Sequence, residues 1–361
     1  MAEEETWEIP PKFLGSVPQV TPGSSGGKVV EGDFPLDQVV IDEFPPGTVI
    51  LSCNRYGESD WTVAARIDAI LESGQPKTYF LKCAEYDQGR AMLEGEFHSM
   101  HELYKAAPDL VPKPHSWGQL TVSNPKTYFY LCDFIEFKNQ KPDPVQLCKK
   151  LVALHKSSIS PNGKFGFHLK PLRGNLPLET TWNASWSDYF VQIFWRSLAL
   201  DQKVNGTRKD LRRLVELAIT HVVPQVLGPL EADGRSIKPS LIHGDLWGGN
   251  IGTDSKTGEI YIFDASAHYA HYEMEIAIWR PHPLSVVGSG AYVSEYLAQM
   301  GASEPVEQFY DRQKLYSACT VMHAAACHNG DWFREGIREN LRYLLEKYAP
   351  GVEVASKDDG A

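Results

Sequence analysis

Long apolar runs are missing from this 361-residue sequence; no stretch approaches the roughly 18 residues that a membrane-spanning helix needs. The start, Met-Ala-Glu-Glu-Glu-Thr-Trp, lacks the basic and apolar pattern of a signal or transit peptide. Basic residues are in deficit, with 35 Lys and Arg against 46 Asp and Glu and a formal net charge of −11. That field repels phosphate backbones and anionic headgroups, so neither nucleic acid nor a membrane is expected as a partner. Closely spaced cysteines are absent too. The six present, at 53, 83, 132, 148, 319 and 327, read as reduced, mostly buried thiols of a cytoplasmic protein, because a chain this long buries a sizeable core without disulfide staples. No internal repeat occurs, and the length suits one large or two modest domains. A monomer or weak dimer is expected.

What is present falls into zones. Residues 1–35 hold Pro10-Pro11, Pro18, Pro22 and Gly23-Ser-Ser-Gly-Gly27 and are expected to form a flexible segment. A phosphate-loop reading of Thr21–Lys28 fails, since the positions that motif reserves for Gly and for Ser or Thr hold Pro22 and Val29. Over 36–136 the signals are β-rich, with β-type runs at Val49–Leu51, Thr62–Ile67, Thr78–Cys83 and Thr127–Cys132. One helix stands among them, over 88–106, with Leu93, Phe97, Met100 and Tyr104 on a single stripe. Over 137–352 the pattern turns helical, opening on Asp143-Pro144, a cap with proline in the first turn. Further helices are expected at 184–202, 208–228, 290–300, 306–327 and 331–348. Residues 353–361 read as a disordered tail. The expected class is therefore α+β, a small β-rich lobe followed by a larger, mostly helical one.

A hairpin at 240–264 interrupts the helices and carries the most informative pattern in the chain. Asp245, four spacer residues and Asn250 sit in a short loop between apolar runs, and Asp264 closes a second run, Ile260–Phe263, nineteen positions after Asp245. Phosphoryl-transfer loops use this order. One carboxylate orients the attacking hydroxyl and accepts its proton, while Asn and the second Asp offer oxygen to a hard cation such as Mg2+. Gly244, Gly248 and Gly249 let the backbone turn tightly. Asp245 is thus the expected general base, Asn250 and Asp264 the expected metal ligands, and His243 a buttress of the loop. Lys82 lies in an apolar run, alternating with Phe80, which suggests a partnered ammonium. Its partner is expected on the next helix, at Glu96 rather than Glu94. Trp247 is a ring in a polar loop with no core to fill, and is expected to be a stacking platform for a sugar or its attached amine. His271, Glu273 and Glu275 follow the metal Asp and are expected at the substrate, the two carboxylates receiving a cationic amine. His268 and His271 lack further ligands nearby and do not read as a metal site. Trp182, Trp186, Tyr189 and Phe190 read as core aromatics.

The string His243-Gly-Asp-Leu-Trp-Gly-Gly-Asn250, followed by Phe263-Asp-Ala-Ser-Ala-His-Tyr-Ala-His-Tyr-Glu-Met-Glu-Ile-Ala277, resembles the fructosamine kinase (ketosamine-3-kinase) family. Phe165-Gly-Phe-His168, the segment 182–190 and Lys82 with its following helix extend the resemblance over most of residues 75 to 345. It implies a two-lobe protein-kinase-like fold of the aminoglycoside-phosphotransferase type, with ATP and Mg2+ as cofactors. Lys82 would then pair with the donor phosphates, and the family's pattern also favours Glu96 as its partner. The hinge Asp133-Phe-Ile-Glu136 would offer backbone groups, at Asp133 and Ile135, to adenine. A phosphate-covering turn would fall at Asn54–Asp60, where Gly57 is the single glycine and Ser59 or Arg55 supplies contacts instead. The implied activity is ATP-dependent phosphorylation of the 3-hydroxyl of a ribulosamine or fructosamine on a glycated amine or protein, which makes the adduct labile and repairs the amine. Two other readings stand beside it. One is a kinase of the same fold acting on an amino alcohol or aminoglycoside; the other is a nucleotide-binding pseudokinase, suggested by the glycine-poor turn.

Overall fold

Residues Ala65, Ile67 and Ala69 are buried among apolar neighbours while Arg66 and Asp68 between them stay partly exposed. This period of two is what a strand with one covered face imposes. The computed structural model describes residues 17–121, 123–279, 287, 290–328 and 331–353, and divides into two units, Met1–Phe97 with Pro114–Ile135, and His98–Lys113 with Glu136–Ala361.

The first unit begins with a hairpin of β1 (Ser24–Ser25) and β2 (Lys28–Val29) and a short helix α1 (Gln38–Ile41), capped by Asp37, whose carboxylate accepts from Val39 N at 2.9 Å. Then come β3 (Val49–Glu58), β4 (Val63–Ile70), β5 (Pro76–Glu85), helix α2 (Tyr86–Ala106), β6 (Pro114–Gln119) and β7 (Thr127–Asp133). These strands form an antiparallel sheet in the order β3-β4-β5-β7-β6. Cys53, Ile67, Tyr79, Leu81, Phe129 and Leu131 on one face make a core with Phe34, Leu36, Val40 and Phe44.

That core corrects one expectation. Residues 17–35 are not a flexible segment: Val17, Val20 and Val30 pack on the sheet, Phe34 is buried, and Ser25 Oγ accepts from Ile50 N at 2.8 Å. A few well-spaced apolar side chains dock a strap whose average composition is polar. Residues 1–16 of that segment, and 354–361 of the expected tail, lie outside the described residues.

The second unit contains β8 (Phe137–Lys138), α3 (Pro144–Ser157), β9 (Leu172–Arg173), β10 (Leu176–Pro177), α4 (Trp186–Asn205), α5 (Lys209–Leu217), α6 (Val223–Val226), β11 (Ser240–Ile242), β12 (Ile251–Asp254), β13 (Ile260–Ile262), β14 (His268–Ala270), α7 (Gly290–Met300), α8 (Phe309–Cys327) and α9 (Asp331–Tyr348). Helix α3 starts as its sequence requires, with Asp143 accepting from Gln146 N at 2.8 Å and proline in the first turn. The helix expected over 208–228 is broken into α5, a π-turn at Ala218–Val222 and α6. Pro224 has no N–H to return to the preceding turn, and its ring crowds the carbonyl there, so the ladder widens. The core gathers Trp186, Tyr189, Phe190 and Phe194 of α4 with Leu315, Tyr316, Cys319 and Met322 of α8 and Ile337, Leu341 and Leu344 of α9.

Residues 98–113 were expected in the β-rich lobe but belong to the helical unit. Ser99 Oγ accepts from Ala267 N at 3.0 Å, and Leu110 O accepts from Ile262 N at 2.9 Å, tying this stretch to the strands around Asp264. All six cysteines are unpaired, five buried and Cys327 partly so. Burial pushes the thiols of Cys53, Cys132, Cys148 and Cys319 up to about 12, so they remain protonated at neutral pH. Among the described residues no helix is long and apolar enough to cross a membrane.

Candidate active site

In the helical unit, β11 delivers the chain into a tight loop and β12 takes it away. Gly244 makes the turn at φ +81, and a Cβ there would lie 2.2 Å from Ser266 O, so no other residue fits. A 3-10 turn at Gly248–Asn250 follows, closed by Asn250 N donating to Trp247 O at 3.0 Å. Strand β13 pairs antiparallel with β12, and Phe263 N donates to Asn250 O at 3.1 Å, which brings Asp264 back to the loop. Asn250 Nδ2 reaches Asp245 O at 2.8 Å, Asp245 Oδ2 at 3.4 Å and Asp264 O at 3.5 Å. The three residues singled out by spacing therefore share one small space. With its amide N–H groups anchored on carbonyls, Asn250 has its side-chain oxygen left to face a cation, and the exposed Asp264 carboxylate supplies a second oxygen. That donor set fits a hard divalent ion.

Burial pushes the Asp245 carboxyl up to about 7; the nearby Arg173 opposes this, while Asp264 and Glu275 add to it. His243 is fully buried, with Nε2 2.9 Å from Phe263 O and Nδ1 accepting from Asp245 N at 3.3 Å. Burial lowers its pKa and keeps it neutral, consistent with a buttress. Trp247 stays 39% exposed, its ring laid over Gly249, where a Cβ would meet it at 2.3 Å.

Unlike Trp247, the other three residues expected at the substrate, His271, Glu273 and Glu275, are buried. The 3-10 segment Tyr272–Trp279 turns into the core, burying Glu273 and Glu275, with His271 buried just ahead of it. Glu273 accepts from Arg312 at 2.6 and 2.9 Å and from Ser303 N at 2.7 Å, and both charged side chains are fully buried. His271 lies 2.9 Å from Tyr316 OH and 2.9 Å from Ser303 Oγ. Glu275 accepts from the backbone N–H groups of His243 and Gly244. Burial raises its carboxyl, but bonding from His155 and His243 outweighs this and holds it below the usual range. None of the three meets an amine: two brace the core and one holds the loop.

A residue that the sequence pattern did not single out holds the same loop from the other side. Arg173, at the β9–β10 turn, is buried and donates to Gly244 O at 3.1 Å and Thr320 O at 3.4 Å. Its only sequence signal is an arginine between Leu172 and Gly174, in a stretch that also holds Lys170 and Asn175.

In the β-rich unit, Lys82 Nζ lies 2.8 Å from both carboxylate oxygens of Glu96, both residues being buried, whereas Glu94 faces Arg90 at 3.6 Å. Replacing either member leaves a buried charge without its partner. The double variant is expected to be little worse than either single one in kcat/KM for the phosphoryl donor, with a coupling of about 0.5–3 kcal/mol. Additive losses would separate the two residues functionally.

The expected phosphate turn differs from its sequence reading. Asn54–Glu58 is strand, not turn, with Gly57 opposite Ala64 and no positive φ. The turn is Ser59–Thr62, and Ser59 is engaged in it, with Oγ 3.0 Å from Thr62 Oγ1 and accepting from Trp61 N and Thr62 N at 3.2 and 3.1 Å. Long β-pairing thus carries the hairpin past the single glycine, leaving Gly57 in strand and Ser59 in the turn that follows. At the other end of the sheet, Asp133 closes β7, with its carboxylate 2.7 Å from His115 Nε2 and 2.8 Å from Lys77 Nζ. Burial raises that carboxyl, but these two bonds hold it below its ordinary value. Ile135 follows, half-buried.

The chain resembles known proteins over most of its length. The fructosamine kinase family model matches residues 62–347. A chloroplastic protein-ribulosamine 3-kinase of Oryza sativa subsp. japonica is 30% identical over 265 residues, 72% of this chain and 69% of the relative. The Arabidopsis thaliana protein of the same name is 29% identical over 190 residues, 53% of this chain and 55% of that one, so the match spans little more than half of the Arabidopsis protein. A crystal structure of a protein assigned as a fructosamine-3-kinase from Haemophilus somnus 129PT superposes with a TM-score of 0.66 at 18% identity, covering 86% of this chain and 96% of that chain. The β-rich unit with its buried Lys82–Glu96 pair, and the helical unit with Asp245, Asn250 and Asp264, are those of a protein-kinase-like fold, and the chain belongs to the fructosamine kinase family.

Proposed function

We propose that this protein is an ATP-dependent, magnesium-requiring kinase that phosphorylates the 3-hydroxyl of a ketoamine, a ribulosamine or fructosamine, as a deglycation repair step. The observation that carries the reading is the convergence of Asp245, Asn250 and Asp264 on one loop in a chain of this family. Asp245 orients the sugar hydroxyl and takes its proton as the oxygen attacks the terminal phosphorus of the donor; the bond from that phosphorus to the bridging oxygen breaks and ADP leaves. Lys82, held by Glu96, binds donor phosphates as a point charge. Asn250 and Asp264 would hold the magnesium ion, which offsets phosphate charge when bound. Glu275 and Arg173 fix the peptide groups around Gly244, so Asp245 is presented without reorganisation. Trp247 serves as the platform for the sugar and its amine. Adenine recognition through the backbone at Asp133 and Ile135, a cytoplasmic location, and action as a monomer or weak dimer are parts of the same proposal.

The test is ATP consumption by the purified protein with ribulose-lysine, fructose-lysine, choline and an aminoglycoside in parallel. Turnover is expected with a ketoamine. ATP binding without ketoamine turnover would overturn the reading in favour of another acceptor or of a pseudokinase. Trp247→Ala is expected to lower kcat/KM for the ketoamine about tenfold, the loss of one stacked ring, with ATP affinity unchanged. An equal loss for ATP would remove the platform role.

A further inference from the structure

Beneath the catalytic loop lies a small cavity, with Arg173, His268, Glu275 and Thr320 on its polar side and Leu246 and Met274 among its apolar walls. It has room for about one water molecule. Arg173 is 8% exposed and spends two of its guanidinium nitrogens on the carbonyls of Gly244 and Thr320. The third, Nε, is buried without a hydrogen-bond partner in the protein. Among the described residues no carboxylate forms an ion pair with Arg173. A buried guanidinium held by carbonyls alone, with one donor unused, is costly. Nor can it swing away to find a counter-charge elsewhere. Its own carbonyl is fixed to α8, 3.1 Å from His323 Nε2 and accepting from Cys327 Sγ at 3.3 Å. Across the cavity, Glu275 accepts from His243 N through one oxygen and from Gly244 N through the other. Each carboxylate oxygen has a further lone pair to offer.

We infer that one buried water bridges Arg173 Nε to the Glu275 carboxylate and joins the two residues into a single positioning unit under Asp245. The water accepts from Nε–H and donates to the carboxylate, so it satisfies the unused donor and links the guanidinium to a negative charge. A halide would also take the N–H, but it would stand against the Glu275 carboxylate in a cavity that is otherwise apolar, where like charges repel strongly. Gly244 is then gripped at both polar groups by one connected pair, its N–H by Glu275 and its carbonyl by Arg173. The next residue along the chain is Asp245, so loosening either grip moves the base. This deepens the kinase reading, and the part concerning turnover rests on it.

A crystal structure of the full chain, at a resolution that orders buried waters, reads the bridge directly. One water peak is expected roughly 2.7–3.2 Å from both Arg173 Nε and a Glu275 oxygen. A dry cavity, a direct Arg173–Glu275 contact, or an anomalous peak there after soaking in bromide would overturn the inference. Steady-state kinetics with a ketoamine test the coupling. Arg173→Met is expected to lower kcat about tenfold to 100-fold, the scale of a displaced catalytic group, and to leave KM for ATP within about twofold. Glu275→Gln is expected to act the same way, and the double variant to fall within about threefold of the worse single one. Losses that multiply would mean that the two residues hold the loop independently, and the unit would be lost. Arg173→Lys keeps the charge should the methionine variant fail to fold. Its ammonium reaches the carbonyls but brings no Nε–H, so kcat is expected to stay low; parent activity in this variant would overturn the bridge. Failure of the kinase reading looks different: wild type would turn over no acceptor. The density then still decides the bridge, and its absence there overturns it.

Discussion

Asp245→Asn is expected to fold and to bind Mg-ATP as the parent does, yet to lose turnover about 100-fold or more, the scale of a positioned catalytic group. The substitution keeps the size of the side chain and its contact with Asn250, which reaches both the carbonyl and the carboxylate of residue 245. What it removes is the ability to orient and deprotonate a hydroxyl. The loop itself does not depend on the carboxylate, since Gly244 is held by Glu275 and Arg173 and His243 is bonded to Phe263. Steady-state rates with a ketoamine, together with nucleotide titration of the same preparation, check both halves. Retention of more than about a tenth of the parent rate would refute the base assignment.

Glu273→Ala is expected to cost about 3–5 kcal/mol of stability, because it leaves the Arg312 guanidinium buried without its counter-charge. Ser303 N loses its acceptor as well. The guanidinium keeps its bonds to the carbonyls of Pro305 and Ser303, which donate no negative charge. Chemical denaturation of the two proteins reads the difference. Glu273→Gln should fold better than the alanine variant and should show the same ratio of kcat/KM for charged and neutral acceptors as the parent. A stability change below about 1 kcal/mol, within the range of an ordinary surface substitution plus error, would contradict the burial of this pair. A selective loss for cationic acceptors would restore Glu273 to the substrate.

Much of the fold was legible because its signals are local. Alternation marked β4 and β5, the Asp143-Pro144 cap marked α3, and the spacing of Leu93, Phe97, Met100 and Tyr104 marked the helix after Lys82. The errors share one physical cause. Residues 17–35 were judged on mean composition, whereas a few apolar anchors suffice to dock a strap. Gly57 was taken as a turn residue, whereas cross-strand pairing carried the strand through it. One helix was expected over 208–228, where the missing N–H of Pro224 interrupts the ladder.

The candidate site divides along the same line. Asp245, Asn250 and Asp264 lie within nineteen residues on one hairpin, so their spacing alone specified a shared space. Lys82, near the end of β5, and Glu96, in the third turn of α2, are fourteen residues apart, and the apolar run around Lys82 announced that its charge needed a partner. The sequence by itself thus determined the fold class, the family and the spacing of the loop at 245–264. Only the tertiary structure decided what each remaining charge faces. Glu273 meets Arg312 thirty-nine residues later, Arg173 meets Gly244 seventy-one residues later, and Glu275 returns to the loop from thirty-one residues on. A carboxylate that receives an amine and one that holds a backbone amide are the same residue in a sequence. They differ only in the partner that packing brings within 3 Å or so, and burial, which makes an unpaired charge too costly to keep, enforces that choice.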